Sequence, residues 1–395
     1  MSRLKSWLVS WRDHSGQLAY AFMLLAGLLV LAGGVYVDYD KRQEAAAAAG
    51  DMTGSGGEPS NPDWVVTHGE LPLGQFFTLA DGDGNALDYT SRIVHTGDEF
   101  ITAGNERYSV DSVDYDGLSA SCSYVGKEEI KYYSAWDEAP VGVFDNDDGI
   151  KIGVYMTHND ESYVPTEGTE SIDGDGGIIQ VGQSLAEELE ANGSQVEISE
   201  NKHDPHDANA YHRSRQTAVQ LLKSNPDVIF DVHRDGVEDP AFYETELDGQ
   251  TITGVRMVVG KQNPHMEANL AFAEEIKAYF DKHYPGMIKG IYMGKGNYNQ
   301  DLGPRMMLLE VGTHTNSREE AEEGAKVFAD GVSKYLQASI GTGVGEAAAT
   351  RGEETTSVDK KSGSTAAVIA IAAVVLGVAF IFISRGVSKS KIQDE

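Results

Sequence analysis

Cysteine is almost absent: Cys122 is the single one in 395 residues. One thiol excludes an intrachain disulfide and every zinc motif built on several cysteines. It says little about compartment, because exported proteins need not use disulfides. Basic residues are scarce too, 31 Lys and Arg against 62 Asp and Glu, for a formal net charge of -31 and a pI near 4.6. Such a chain lacks the electrostatic footprint of a nucleic-acid binder and of a long docking face for an anionic membrane surface. The balance suits a solvated ectodomain held apart from its copies by self-repulsion.

Long apolar runs are confined to the two ends. Ser15–Val37 holds no charged residue, and neither does Ser362–Ser384. Each exceeds the roughly 20 residues needed to cross hydrocarbon, and the first is longer than the apolar core of a signal peptide. Arg3, Lys5 and Arg12 precede the first run, while Arg385, Lys389 and Lys391 follow the second. Two spans with basic outer flanks place both tails in the cytoplasm and the large middle outside the cell membrane. The expected order is therefore a tail (1–14), a transmembrane helix (15–37), an Ala/Gly/Ser-rich tether (38–62), a folded middle, a second linker (341–361), a second transmembrane helix (362–384) and a tail (385–395).

Within the middle, residues 63–145 read as short strands separated by Asp-Gly and Gly-Asn turns, a small β domain. Phe76–Leu79, Arg92–Val94, Glu99–Thr102, Arg107–Val110 and Ala120–Val125 are the expected strands. Asp81-Gly82-Asp83-Gly84-Asn85 opens like a calcium loop, but Arg92 stands where the twelfth-position carboxylate belongs, so the stretch reads as a turn. From Gly149 the pattern alternates strand and helix. Strands are expected at Ile150–Tyr155, Val196–Ile198, Val228–Val232, Val255–Val259 and Met306–Val311. Helices are expected at Gly177–Asn192 with Gly193 as a left-handed cap, to about Ser224, at Met266–His283, and from a Ser317/Glu320 capping box to about Leu336. The fold class is α/β, a mostly parallel sheet flanked by helices over 146–340.

Three pieces carry chemistry, each where a buried strand leaves the sheet: Thr157–Tyr163, Asp231–Asp235 and Leu308–Gly312. In open α/β sheets sites assemble at the carboxyl ends of strands. A lone His158 there is ordinarily structural, but Glu161 three residues on allows one turn to aim both at one metal. His233 follows an apolar strand, with Asp231 and Asp235 near enough in sequence to hold its second nitrogen. Glu310 is costly to bury unless paired, metal-linked or engaged in acid/base work. A His-x-x-Glu, a distant His and a further Glu meet the needs of a catalytic zinc site, with three N/O ligands and a free carboxylate. His203-Asp204-Pro205-His206-Asp207 forms a competing cluster on a polar loop, of which His203 is the best placed. His206, His212, His265 and His314 read as surface residues. Arg305 either holds a substrate carboxylate, balances Glu310 or forms a surface ion pair.

Thr157-His158-Asn159-Asp160-Glu161-Ser162-Tyr163-Val164-Pro165 resembles a signature of the stage II sporulation protein P family. Tyr211–Arg215, Asp231–Asp235, Gly296–Leu302 and Leu308–Gly312 continue the resemblance in the same order, over about Gly149–Leu336. That family comprises membrane-anchored, zinc-dependent peptidoglycan hydrolases related to N-acetylmuramoyl-L-alanine amidases. The resemblance implies a zinc amidase-like fold, Zn2+ as cofactor, peptidoglycan as substrate, and membrane-protein partners in a wall-remodelling complex. It makes His158 and His233 zinc ligands and Glu310 the catalytic carboxylate. Glu161 is the choice for the third ligand, with Asp173, Asp175 and His203 in reserve. In the wider amidase superfamily a Glu opens the first helix, whereas this chain has Asp173-Gly174-Asp175-Gly176-Gly177 there. Arg234, Arg305, Asn299 and Gln300 are the substrate-binding candidates. The added C-terminal apolar run and the acidic charge depart from the family pattern.

The expected activity is hydrolysis of the amide between N-acetylmuramic acid and L-alanine, extending to peptide cross-links. A zinc carboxypeptidase or endopeptidase on wall peptides, and a non-catalytic wall-binding membrane protein, are the rival readings.

Overall fold

The computed structural model describes residues 71, 74–139, 149–207 and 209–346. Both apolar end segments, and the expectations about them, lie outside these residues. No helix among the described residues is long and apolar enough to cross a membrane.

The first part of the chain gives five strands: β1 (Phe77–Ala80), β2 (Ala86–Thr90), β3 (Glu99–Thr102), β4 (Glu106–Asp114) and β5 (Ser119–Lys127). Asp81–Asn85 is a tight turn, in which Asp81 Oδ1 accepts the N–H groups of Asp83 and Asn85 at 3.0 and 2.8 Å. Arg92–Val94, expected as a strand, belongs to none; β2 ends at Thr90 instead.

The second part follows the expected alternation. It comprises β6 (Lys151–Tyr155), the short α1 (Val164–Glu167), α2 (Ile178–Ala191), β7 (Gln195–Ser199), α3 (Ala210–Leu221), β8 (Val228–Asp235), the hairpin β9 (Glu244–Leu247) and β10 (Gln250–Thr253), β11 (Val255–Gly260), α4 (Met266–His283), β12 (Ile288–Gly294), β13 (Met306–Thr313) and α5 (Arg318–Thr342). Ile178, Val181, Leu185 and Leu189 of α2 are each fully buried, as their spacing along one helical face requires. Gly193 follows the helix at φ +91°, a left-handed conformation that a side chain disfavours. The Ser317 hydroxyl accepts the Glu320 N–H while Glu320 returns a bond to the Ser317 N–H, and the helix so capped runs six residues past the expected end.

Eleven strands form one sheet in the order β2-β1-β5-β4-β3-β12-β11-β13-β8-β6-β7. From β12 to β7 the ladders are parallel except β11 with β13, but most of the ladders from β2 to β12 are antiparallel. The sheet as a whole is therefore mixed rather than mostly parallel. β3 pairs with β12, Phe100 opposite Tyr292, so the strands of 63–145 continue the same sheet. They also pack over it: Phe77, Ile93, Val94 and Phe100 join Val258, Tyr292 and Leu308 in one apolar cluster. Strand alternation places Leu308 and Glu310 on the same face. That face, covered by α3 and the β1–β5 segment, carries the site. Helices α2, α4 and α5 cover the other, against Val154, Phe230, Val232, Leu309 and Val311.

Candidate metal centre

Beyond β6 the chain turns so that the Glu161 N–H donates to the His158 carbonyl at 3.2 Å. This is the single turn that a His-x-x-Glu spacing predicts. Glu161 Oε1 lies 3.2 Å from His158 Nδ1 and 3.3 Å from His233 Nδ1. Glu161 and His233 are fully buried and His158 nearly so. One ligand atom from each of the three falls within 4.8 Å of the others. Glu161 Oε2 accepts the backbone N–H of Arg234 at 2.9 Å, which fixes the carboxylate's rotation.

Two buried polar atoms here lack a hydrogen-bond partner among the described residues, His233 Nε2 and Glu310 Oε2. The His233 atom is 3.1 Å from Asp231 Oδ1, within reach of its charge but not aligned as a hydrogen bond. Two imidazoles and a carboxylate, buried and convergent, form an N/O donor set of the kind zinc takes. The residues fit a metal ion. Asp173 and Asp175 are exposed. His203 is buried, but its Nδ1 meets the Met156 carbonyl and its Nε2 the Thr217 hydroxyl, both at 2.9 Å, so neither nitrogen is free for an ion.

Burial disfavours the charged form of Glu161, yet His233 and His158 beside it hold the carboxyl well below its ordinary range. Burial likewise opposes protonation of His233, and the Asp231 and Glu161 carboxylates overcome it, raising the imidazole well above its usual value. A cation held by the same groups would displace the proton that His233 carries, which makes metal binding proton-linked.

Glu310 sits opposite His233 in the β13–β8 ladder and opposite Arg256 in the β11–β13 ladder. Burial pushes its carboxyl up to about 7, against the pull of the Arg92 guanidinium. Arg92 Nε and Nη2 both donate to Glu310 Oε1, at 2.9 and 2.5 Å. A buried carboxylate near neutrality is suited to taking and giving a proton.

Three of the four substrate-binding candidates make hydrogen bonds to neighbouring segments of the chain. Arg234 spends its guanidinium on the carbonyls of Ser162, Asp235 and Glu170, and only its backbone touches the centre. Gln300 bonds the Gly260 N–H and the Val258 carbonyl, both at 2.8 Å. Asn299 donates to the Tyr211 carbonyl and the Ser214 hydroxyl at 3.1 Å. Arg305 precedes β13, at the opposite end of that strand from Glu310.

Other residues do line the centre. Tyr211, in the first turn of α3, has its ring centroid 5.4 Å from that of His158 and 6.0 Å from that of His233. His206, expected at the surface, is half-buried and stacks on His158 at 3.8 Å, with Nδ1 3.1 Å from Asp160 Oδ1. His314, also expected outside, is buried. Tyr211 belongs to one of the ordered motifs, and His206 to the polar His/Asp cluster of which His203 is the member expected to enter; nothing local marks Arg92 for the site.

The model of the family described as stage II sporulation protein P matches residues 115–333. Stage II sporulation protein P of Bacillus subtilis (strain 168) is 31% identical over 196 residues, covering 45% of this chain and 49% of that protein. The chain thus spans about half the length of the curated relative it matches. Similar solved structures include an N-acetylmuramoyl-L-alanine amidase from Clostridium difficile 630, 16% identical with a TM-score of 0.31, covering 49% of this chain and 98% of that one. The amidase AmiC2 of Nostoc punctiforme is 18% identical with a TM-score of 0.31, covering 48% of this chain and 97% of its own.

Proposed function

Because this chain belongs to the stage II sporulation protein P family, we propose that it is a zinc-dependent peptidoglycan hydrolase. The bond cleaved is the amide between N-acetylmuramic acid and L-alanine, with peptide cross-links as a further target. One observation carries the reading: buried His158, Glu161 and His233 converge on a point flanked, across one ladder, by Glu310 with a free carboxylate oxygen.

His158, Glu161 and His233 would hold the ion. Zinc, when bound, supplies Lewis acidity, lowering the pKa of water and polarising a carbonyl. Glu310 Oε2 takes the proton from the attacking water and delivers it to the departing amine nitrogen. Burial keeps that carboxyl near the pKa at which both transfers are efficient. The Arg234 N–H holds Glu161 in its ligating rotation.

The same proposal anchors the protein in the cell membrane through 15–37 and 362–384, both tails cytoplasmic and the folded part facing the wall. Membrane-protein partners of a wall-remodelling complex would meet it there.

The test is full-length protein in detergent, incubated with purified peptidoglycan, with and without chelator, and products identified by mass. Chelator-sensitive release of free stem peptides is expected. Cut cross-links with stems still attached to glycan would make it an endopeptidase. Wall binding without any product, zinc restored, would make it a non-catalytic binder.

A further inference from the structure

The segment joining β2 to β3 enters the centre from outside the stretch matched to the family, which begins at residue 115. Together with the end of β2, it spends three side chains on the sheet face that bears the site. Asp88 pairs with Arg256 of β11. The Ser91 hydroxyl and N–H both donate to Asp235 Oδ1, at 2.8 and 3.1 Å. Arg92 grips Glu310. Arg256 in turn lies 3.3 Å from Asp235 Oδ2 and donates to the Tyr89 carbonyl at 2.7 Å, closing a buried network around the segment.

Arg92 is 4% exposed and cannot serve as a solvent-facing charge. Its guanidinium lies over the Tyr298 ring at 5.2 Å and reaches the Tyr211 hydroxyl at 3.4 Å, so packing on both sides limits its rotation. Both of its bonds to Glu310 go to one oxygen, Oε1, while Oε2 has no hydrogen-bond partner among the described residues. An unpartnered carboxylate oxygen in such a place costs stability, and a side chain gripped on one oxygen only presents the other.

We propose that Arg92 is the positioning residue of Glu310, holding Oε1 so that Oε2 alone remains to carry the proton. The N-terminal β segment is then part of the active site rather than an appended domain. This rests on the reading of Glu310 as the proton-carrying carboxylate. A guanidinium differs here from an ammonium, because two donors held on one rigid plane converge on Oε1 and pin that atom.

The experiment uses full-length protein carrying Arg92→Lys, Arg92→Met, Arg92→Ala or Glu310→Gln, and the Arg92→Met/Glu310→Gln double variant. Zinc titration of each, without substrate, reads the metal ligands separately. Arg92→Met is expected to lower kcat about 100-fold, as misplacement of a reacting group does, with KM within about twofold and zinc affinity unchanged. Arg92→Lys should recover only part of the loss. Millimolar guanidinium should raise the turnover of Arg92→Ala but not that of Glu310→Gln. In the Glu310→Gln background, Arg92→Met should lower the residual rate no further.

Wild-type kcat in Arg92→Met, with Glu310→Gln inactive, would overturn the positioning role alone. A rise in KM without loss of kcat would do the same, making Arg92 a substrate contact. Wild-type turnover by Glu310→Gln would instead overturn the role given to Glu310. Should Arg92→Met fail to fold, Arg92→Lys keeps the buried charge, and undiminished kcat in that variant also overturns the proposal.

Discussion

Asp231 accepts both the backbone N–H and the hydroxyl of Thr157, at 2.8 and 2.6 Å, tying β8 to the residue just before His158. Its Oδ1 also stands 3.1 Å from His233 Nε2. One carboxylate thus sets the spacing between two of the three candidate ligands. Asp231→Asn keeps the shape and loses the charge, and should weaken zinc binding about 10- to 100-fold, the usual cost of losing an outer partner. Calorimetric titration checks it; unchanged affinity would show that Asp231 serves the strand and not the ion.

The glycine-rich turn before α2 braces the segment that carries Glu161. The Gly176 N–H donates to the Asn159 carbonyl at 2.9 Å, and the Ile178 N–H to the Glu161 carbonyl at 3.0 Å. A Cβ on Gly176 would fall 2.2 Å from the Glu161 carbonyl oxygen, which is backbone and has nowhere to go. Gly176→Ala should therefore lower zinc affinity by displacing Glu161. Gly303→Ala, at a site with nothing within 4 Å, should leave it unaltered. Equal affinities for the two variants would refute this account of the turn.

Arg256 is almost fully buried between Asp88 and Asp235. Removing one member of such a group strands the rest without a counter-charge, a loss of about 3–5 kcal/mol. Arg256→Met should show that loss in denaturant unfolding. Pairing it with Asp88→Asn should return part of the loss, because the stranded carboxylate is then gone. Simple additivity would mean the two do not act together.

Glu274, half-buried on α4, is pushed up to about 7 by burial and then by the nearby Glu128. From the ordinary value of 4.5 up to about 7, the folded protein binds a proton that the unfolded chain has released. Stability contributed by this group therefore falls as pH rises through that window. Glu274→Gln should raise the melting temperature at about pH 8 and change it little at about pH 4.5. An equal gain at both would exclude titration as the cause.

Much of this was legible in the sequence because it is local. Met266–His283 appears as a helix with those bounds, and the Ser317/Glu320 box caps α5 as its spacing required. The His158–Glu161 pairing needs only one turn, and His233 and Glu310 lie toward the same ends of two apolar strands that form a parallel pair. What escaped depends on distant packing. Arg234 and Gln300 bond backbone groups 40 or more residues away, partners that no local pattern announces. β12 escaped because Lys289 and Gly290 interrupt the short apolar run of Ile288–Gly294 and leave no alternation, and its pairing with β3 is what joins the two portions into one sheet. Arg92 showed only as the start of an expected strand and as a residue unfit for a calcium loop.

The bond from Arg92 to Glu310 spans 218 positions of the chain. Closing so long a loop costs entropy before the contact returns any stabilisation. During synthesis, β13 follows every other strand of the sheet, so a nascent chain can shape the segment around Arg92 long before its partner exists. The ligand triad is complete once β8 has joined β6, but the ion pair must wait for β13. A site built in this order stays incomplete until its whole sheet has closed.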